Sequence, residues 1–258
     1  MNDIILSARN LSLSFGGLRA LDGVSFDVRR NQFFSIIGPN GAGKTTILNC
    51  LSGRYKPSGE MLFDGDDLVP QPVHSRARLG IARTFQNLAL FNHMSVLDNI
   101  LVGRHHLLKK GFVSGAAYWL GGAQKEEITH RREMERIVDF LEIQRVRHSL
   151  AGSLPYGIRK RVELARAIAA KPKLILLDEP MAGMNLDEKE DMARFILDLN
   201  EEWRMTVIMI EHDMSVVMDI SETVLALDFG QVVACGTPQE ITAHPMVRRA
   251  YLGEDDGD

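Results

Sequence analysis

Apolar positions along this chain change period several times, and each change predicts a different element. From residue 4 to about 28 they alternate in short runs, with Val24, Phe26 and Val28 separated by Ser25 and Asp27, the spacing of half-exposed antiparallel strands. Three later runs are apolar on both faces: Phe33-Phe34-Ser35-Ile36-Ile37, Leu174-Ile175-Leu176-Leu177 and Val207-Ile208-Met209-Ile210. Runs of that length between polar or Gly-rich turns fit parallel strands covered by helices on both sides. Between them, roughly over 95–170, Met134, Ile137, Val138 and Leu141 recur at helical spacing among Glu133, Arg136, Asp139 and Glu142. The pattern predicts an α/β chain with a parallel-sheet core, an antiparallel β subdomain and an inserted helical lobe. We expect one domain over 1–258, with core and β subdomain at 1–86 and 172–258 and the lobe at 87–171.

Composition narrows the function classes. The formal net charge of −4 speaks against nucleic acid as a partner, since phosphate binding favours a basic surface. No stretch of 18 apolar residues occurs, so the chain is not expected to span a bilayer and would have to dock onto something that does. No basic segment followed by an apolar one marks a secretory signal. The two cysteines, Cys50 and Cys235, form no CxxC pair and read as small buried hydrophobes in a reducing compartment. The tail Glu254-Asp255-Asp256-Gly257-Asp258 reads as a frayed acidic end.

The sharpest chemical signal is Gly38-Pro39-Asn40-Gly41-Ala42-Gly43-Lys44-Thr45, followed by Thr46. It fits G-x-x-x-x-G-K-[ST] directly after an apolar strand and before a helix with Ile47, Leu48 and Leu51 on one face. Glycines let backbone N–H groups close around phosphate oxygens, and the helix turns its positive end toward the same anion. Lys44 would add a full charge on the β- and γ-phosphates, and the Thr45 hydroxyl would ligand Mg²⁺. The loop marks a nucleotide site.

The run 174–177 ends in Asp178-Glu179, where ligands lie in open α/β sheets, outside the carboxyl ends of the strands. Asp178 is expected to hold Mg²⁺ through its water shell, and Glu179 to act as general base toward the attacking water. Acids at strand ends are common, so the pair gains its meaning from the phosphate loop.

These stations, with those between them, resemble an ABC nucleotide-binding domain, a P-loop NTPase. Thr84-Phe85-Gln86 is similar to the Q-loop, which implies that Gln86 reaches Mg²⁺ and the attacking water. Leu154-Pro155-Tyr156-Gly157-Ile158 stands where the family signature belongs, ahead of a helix expected near Arg159, which makes Gly157 a contact to the nucleotide of a second subunit. Ala182-Gly183-Met184-Asn185 resembles the D-loop, Glu211-His212-Asp213 the switch loop whose histidine meets the γ-phosphate, and Phe15 the aromatic that stacks on adenine. Phe15-Gly16-Gly17-Leu18-Arg19-Ala20-Leu21, Ala82-Arg83-Thr84-Phe85-Gln86-Asn87, Ile210-Glu211-His212-Asp213-Met214 and Ala250-Tyr251-Leu252-Gly253 narrow the likeness to LivG-type ATPases of branched-chain amino-acid importers. In that group an insertion follows the Q-loop, and 109–124 fits it.

Two departures stand out. Pro155 replaces the signature serine and Ile158 its glutamine, and Asn185 replaces the D-loop aspartate. The resemblance implies a second ATPase subunit, two transmembrane permease subunits and, indirectly, a substrate-binding protein, with this chain peripheral on the cytoplasmic face of the inner membrane. The nearest competing reading is the ATPase of lipopolysaccharide export, which retains the serine and glutamine; a non-transport ABC switch is a further one. His105-His106 has no partners at ligand spacing and reads as surface, as does the charged stretch 125–136.

Overall fold

The computed structural model describes residues 3–84, 88–107 and 122–252. Strands β1 (Ile4–Phe15) and β2 (Leu18–Arg29) pair antiparallel, and β4 (Ser58–Phe63) and β5 (Asp66–Asp67) extend them into a four-stranded sheet of order β2-β1-β4-β5. The second sheet has six strands in the order β10-β9-β3-β8-β7-β6. Its members are β3 (Phe33–Ile37), β6 (Ile81–Arg83), β7 (Leu174–Asp178), β8 (Thr206–Ile210), β9 (Thr223–Asp228) and β10 (Gln231–Gly236). All its pairings are parallel except β9 with β10.

The three runs expected as buried parallel strands are β3, β7 and β8. Two further parallel strands, β6 and β9, were not among those runs, because β6 is three residues long and β9 follows a helix after only two residues, Ser221 and Glu222.

Every residue of β3, β7 and β8 is buried, yet their side chains still alternate. Phe33, Ile37, Ile175, Leu177, Val207 and Met209 join one apolar cluster, while Phe34, Ile36, Leu174, Leu176, Ile208 and Ile210 join another. The period of two is a property of the strand and persists when both faces are apolar. The first cluster takes in the helical side: α3 (Val96–Gly103), α4 (Gly122–Phe140), α5 (Tyr156–Ala169) and α6 (Leu186–Glu201). The second is closed by α1 (Lys44–Leu51) and the antiparallel sheet. Burial of each such Leu, Ile or Phe side chain contributes about 1.5–3 kcal/mol, so both faces of the sheet stabilise the fold.

The helices have local reasons to start where they do. Ser95 caps α3 by accepting from the Asp98 N–H. Asn185 and Glu188 form a reciprocal capping box at α6. Close approach of α3 to α5 depends on Gly103, where a Cβ would stand 2.1 Å from the Arg166 carbonyl oxygen. The shorter helices α2 (Val73–Leu79), α7 (Met214–Ile220), α8 (Pro238–Ala243) and α9 (Pro245–Leu252) complete the chain. Cys50 is buried, and burial pushes its thiol up to about 12, which leaves it inert. Cys235 corrects the expectation made for it: β10 is an edge strand, and this side chain is exposed. His105 is exposed, in agreement with a surface reading.

Candidate functional site

The phosphate loop runs from the end of β3 into α1. Gly43 is the residue before the helix, with φ 101°, and a Cβ there would stand 2.6 Å from the Ala20 carbonyl oxygen. Glycine meets both the left-handed backbone and the close approach. The first intrahelical bond is from Ile47 N to Gly43 O, so the N–H groups of Lys44, Thr45 and Thr46 remain for an anion. Lys44 is buried and its Nζ donates to the carbonyls of Gly38 (2.6 Å) and Pro39 (3.1 Å). Burial lowers its pKa, while the carboxylates of Glu179 and Asp178 pull it back up.

Alternation along β7 decides where its acids point. Leu174 and Leu176 face the α1 side, so Asp178 does as well. Its Oδ2 accepts from Arg83 Nη2 at 2.8 Å, and Arg83 Nη1 donates to Asn49 Oδ1 (2.8 Å) and Ser52 Oγ (2.9 Å) at the far end of α1. The other oxygen, Oδ1, is buried without a hydrogen-bond partner. A buried carboxylate oxygen left open at the carboxyl end of β7, near enough to Lys44 to act on its charge, is a donor suited to a hydrated Mg²⁺.

Glu179 lies one residue beyond the strand with φ 50°, a left-handed conformation uncommon outside glycine and asparagine. Its N–H donates to Ile210 O at 3.0 Å, and its Oε1 is 2.7 Å from His212 Nε2. Behind this pair stands Glu211, 5% exposed. Its Oε1 accepts from Met181 N (2.9 Å) and its Oε2 from His212 N (3.1 Å), so one carboxylate ties the loop after β7 to the loop after β8. Burial pushes the Glu211 carboxyl above its ordinary pKa, and the two amides oppose that shift.

A cavity of about 410 Å³ opens over the loop. It is lined by residues 40–46, by Phe15, Leu18, Arg19 and Ala20, and by Glu179 and Phe229. Phe15 is 46% exposed and packs edge-on against Tyr55 at a 5.1 Å centroid distance.

The signature helix corrects one expectation. It begins at Tyr156, not near Arg159, because Pro155 has the extended backbone of a cap (φ −53°, ψ 154°) and its carbonyl accepts from Arg159 N. Gly157 therefore lies in the first turn, where its own N–H has no helical partner. A Cβ on Gly157 would stand 2.3 Å from Glu188 Oε1, and Tyr156 Oη donates to the Ala182 carbonyl at 3.1 Å. Asn185, the unusual D-loop residue, is the cap of α6, a position that asparagine and aspartate fill about equally well.

Among the residues expected at the site, Phe15, Asn40 to Thr46 by number and Glu179 share one cavity, and Gly38 and Pro39 hold Lys44. Asp178 and His212 flank Glu179. Gly157 does not line that cavity. Gln86 and the 109–121 part of the expected insertion lie outside the described residues. Three further residues carry the geometry without having been singled out: Arg83, Glu211 and Phe229. The first two stood inside quoted motifs with no role attached; Phe229 belongs to no motif.

Among the described residues no helix is long and apolar enough to cross a membrane. Residues 21–182 match the family described as ABC transporter, and residues 231–257 match the one described as Branched-chain amino acid ATP-binding cassette transporter. The chain is 41% identical to the High-affinity branched-chain amino acid transport ATP-binding protein BraF of Pseudomonas aeruginosa, over 98% of this chain and 100% of the relative. Identity to the LivG protein of the same description in Escherichia coli (strain K12) is 39%, again over 98% and 100%. Among solved structures, the ADP conformation of MJ1267, an ATP-binding cassette of an ABC transporter, superposes with a TM-score of 0.83 at 30% identity, covering 97% of this chain and 99% of that one.

Proposed function

The chain belongs to the ABC transporter ATP-binding family, and from that premise we propose that it powers an importer of branched-chain or other hydrophobic amino acids. The observation that carries ATP hydrolysis is that Lys44 and Glu179 line one cavity at the carboxyl ends of the parallel strands, with His212 hydrogen-bonded to Glu179, and with Asp178 acting on the charge of Lys44. The importer reading is supported by the branched-chain amino acid transport named for the relatives and by the match at 231–257. That match, with Pro155 and Ile158 in the signature, favours this branch over lipopolysaccharide export.

Lys44 would exchange the carbonyls of Gly38 and Pro39 for β- and γ-phosphate oxygens. Glu179 would take a proton from the attacking water, with His212 orienting its carboxylate and meeting the γ-phosphate. Thr45 and Asp178, together with Gln86, would hold Mg²⁺. When bound, Mg²⁺ neutralises charge developing on the phosphate oxygens. Phe15 would stack on the base, and the loop N–H groups would receive the phosphates.

Gly157 stands away from this cavity, so a second ATPase subunit would supply its own signature N–H groups across the nucleotide, and this chain would return the contact. Core residues 1–86 and 172–258 would then bind ATP, and the lobe 87–171 would present the signature. ATP binding would close the two ATPase subunits on each other, and hydrolysis would reopen them. Two permease subunits would receive that motion at the cytoplasmic face of the membrane, with a substrate-binding protein delivering the amino acid. The test is reconstitution of the chain with the membrane subunits that co-purify with it. ATP-dependent uptake of labelled leucine, isoleucine or valine is expected, and should disappear with Lys44→Ala. Phosphate release without uptake of any apolar amino acid would overturn the importer assignment.

A further inference from the structure

Phe229 breaks two local rules at once. With Gly230 it forms the two-residue turn between β9 and β10, where Asp228 pairs with Gln231. Both turn residues have positive φ, 43° and 77°, a combination that Asn-Gly or Gly-Gly adopts readily and a bulky aromatic does not. The Phe229 side chain is also 85% exposed, more than any other large hydrophobic among the described residues. A turn whose task was closure alone would be better served by a small polar residue. Departures from local consistency of this kind collect at functional positions.

The turn is also fixed in place. Gly230 N donates to Ala42 O of the phosphate loop at 3.0 Å, and Asp22 N donates to Gly230 O at 2.9 Å. A Cβ on Gly230 would stand 2.8 Å from the Ala20 carbonyl oxygen. Gln231 Nε2 reaches Asp22 Oδ2 at 2.9 Å. The aromatic ring is thus carried by a backbone pinned to both the phosphate loop and the start of β2, and it lines the same cavity as Phe15 and Leu18. Phe15, Leu18 and Phe229 bring apolar surface and no hydrogen-bond donor, which suits the flat face of a nucleobase and not a phosphate.

We infer that Phe229 is a second aromatic wall for the base of the bound nucleotide, added to Phe15. This rests on the reading of the cavity as the ATP site. Calorimetric titration of the full chain with MgATP and, separately, with inorganic tripolyphosphate tests it. Phe229→Ala should weaken MgATP by about 5- to 100-fold, the range of one base–aromatic stack, and leave tripolyphosphate within about twofold. Phe229→Tyr should restore MgATP binding. Phe229→Asn, which suits the turn better, should bind MgATP as weakly as the alanine variant while unfolding no earlier than the parent. Unchanged MgATP affinity in Phe229→Ala, or an equal loss for both ligands, overturns the inference. If instead Lys44→Ala binds both ligands like the parent, the assignment of the cavity to the nucleotide fails, and the inference goes with it.

Discussion

Arg83 donates to Asp178 at 2.8 Å, and the two side chains are 8% and 1% exposed. The pair joins an edge strand of the parallel sheet to the acid expected at the metal, and through Asn49 and Ser52 it also grips α1. Removing one partner of a buried ion pair leaves a charge without compensation. We therefore expect Arg83→Leu to destabilise the fold by about 3 kcal/mol or more, and Asp178→Asn in that background to recover part of the loss. Urea unfolding of the four proteins of the cycle measures the coupling. Strict additivity would show that the pair does not act as a unit.

Glu179 combines a chemical task with an unfavourable backbone. Glu179→Gln should lower turnover by about 10²- to 10⁴-fold while ATP still binds. Glu179→Gly should be equally inactive but no less stable than the parent, and more stable by up to about 1 kcal/mol, since glycine accepts φ 50° without strain. Phosphate release and thermal unfolding read the two effects separately. Parental turnover in the glutamine variant would place the base elsewhere.

Glu211 predicts a pH dependence with a definite sign. Its carboxyl titrates higher in the folded chain than in the unfolded one, so between its ordinary pKa and the raised folded value the folded state binds more protons. Stability from this group is therefore lost as pH rises through that window, and is unaffected well below it. Glu211→Gln removes the dependence, so the stability difference between parent and variant should shift in the variant's favour as pH rises from about 4 upward. The variant also sets an amide donor against one of the two N–H groups of Met181 and His212, so its turnover should fall while ATP affinity holds. A pH-independent stability difference would remove this group from the account.

At the signature, the structure changes what a substitution would do. Pro155→Ser places a hydroxyl at the cap of α5, where it can accept from a first-turn N–H. Turnover of the reconstituted complex should change by about tenfold or less, because the first-turn N–H groups and the helix end are present in both proteins. Gly157→Ala should be far more harmful. Its Cβ would meet Glu188 Oε1, displacing the end of that side chain from the capping box. That loss of about 1 kcal/mol is offset by the better helix propensity of alanine, so stability should stay near the parent's while activity falls. A Gly157→Ala protein with parental turnover would count against the role of this first turn.

Much of this was legible in the chain. The phosphate loop, the Asp-Glu strand end and the three two-sided apolar runs are strings of adjacent residues, so their pattern carries their structure. The start of α5 differs from the expected one because the fixed φ of Pro155 makes it a cap and lets the helix begin at Tyr156. Arg83 and Glu211 were invisible as agents because their partners, Asp178 and Met181, are 95 and 30 positions away. Phe229 could have been noticed: Phe-Gly closing two apolar strands is poor hairpin chemistry, and poor local chemistry is itself a signal. Asn185 departs from the family pattern, yet in its own surroundings it is a satisfactory helix cap.

The alternation hidden in β3, β7 and β8 makes the sheet a partition between two populations of residues. Leu176 and Leu177 are covalent neighbours but lie in different clusters, whereas Leu177 and Met209 are register partners in one. Energetic kinship in this molecule therefore skips along the chain: truncations of Leu176 and Leu177 should nearly add, while those of Leu177 and Met209 should not. A mutation history of this protein would accordingly fall into two separately compensating sets, interleaved residue by residue on the same strands.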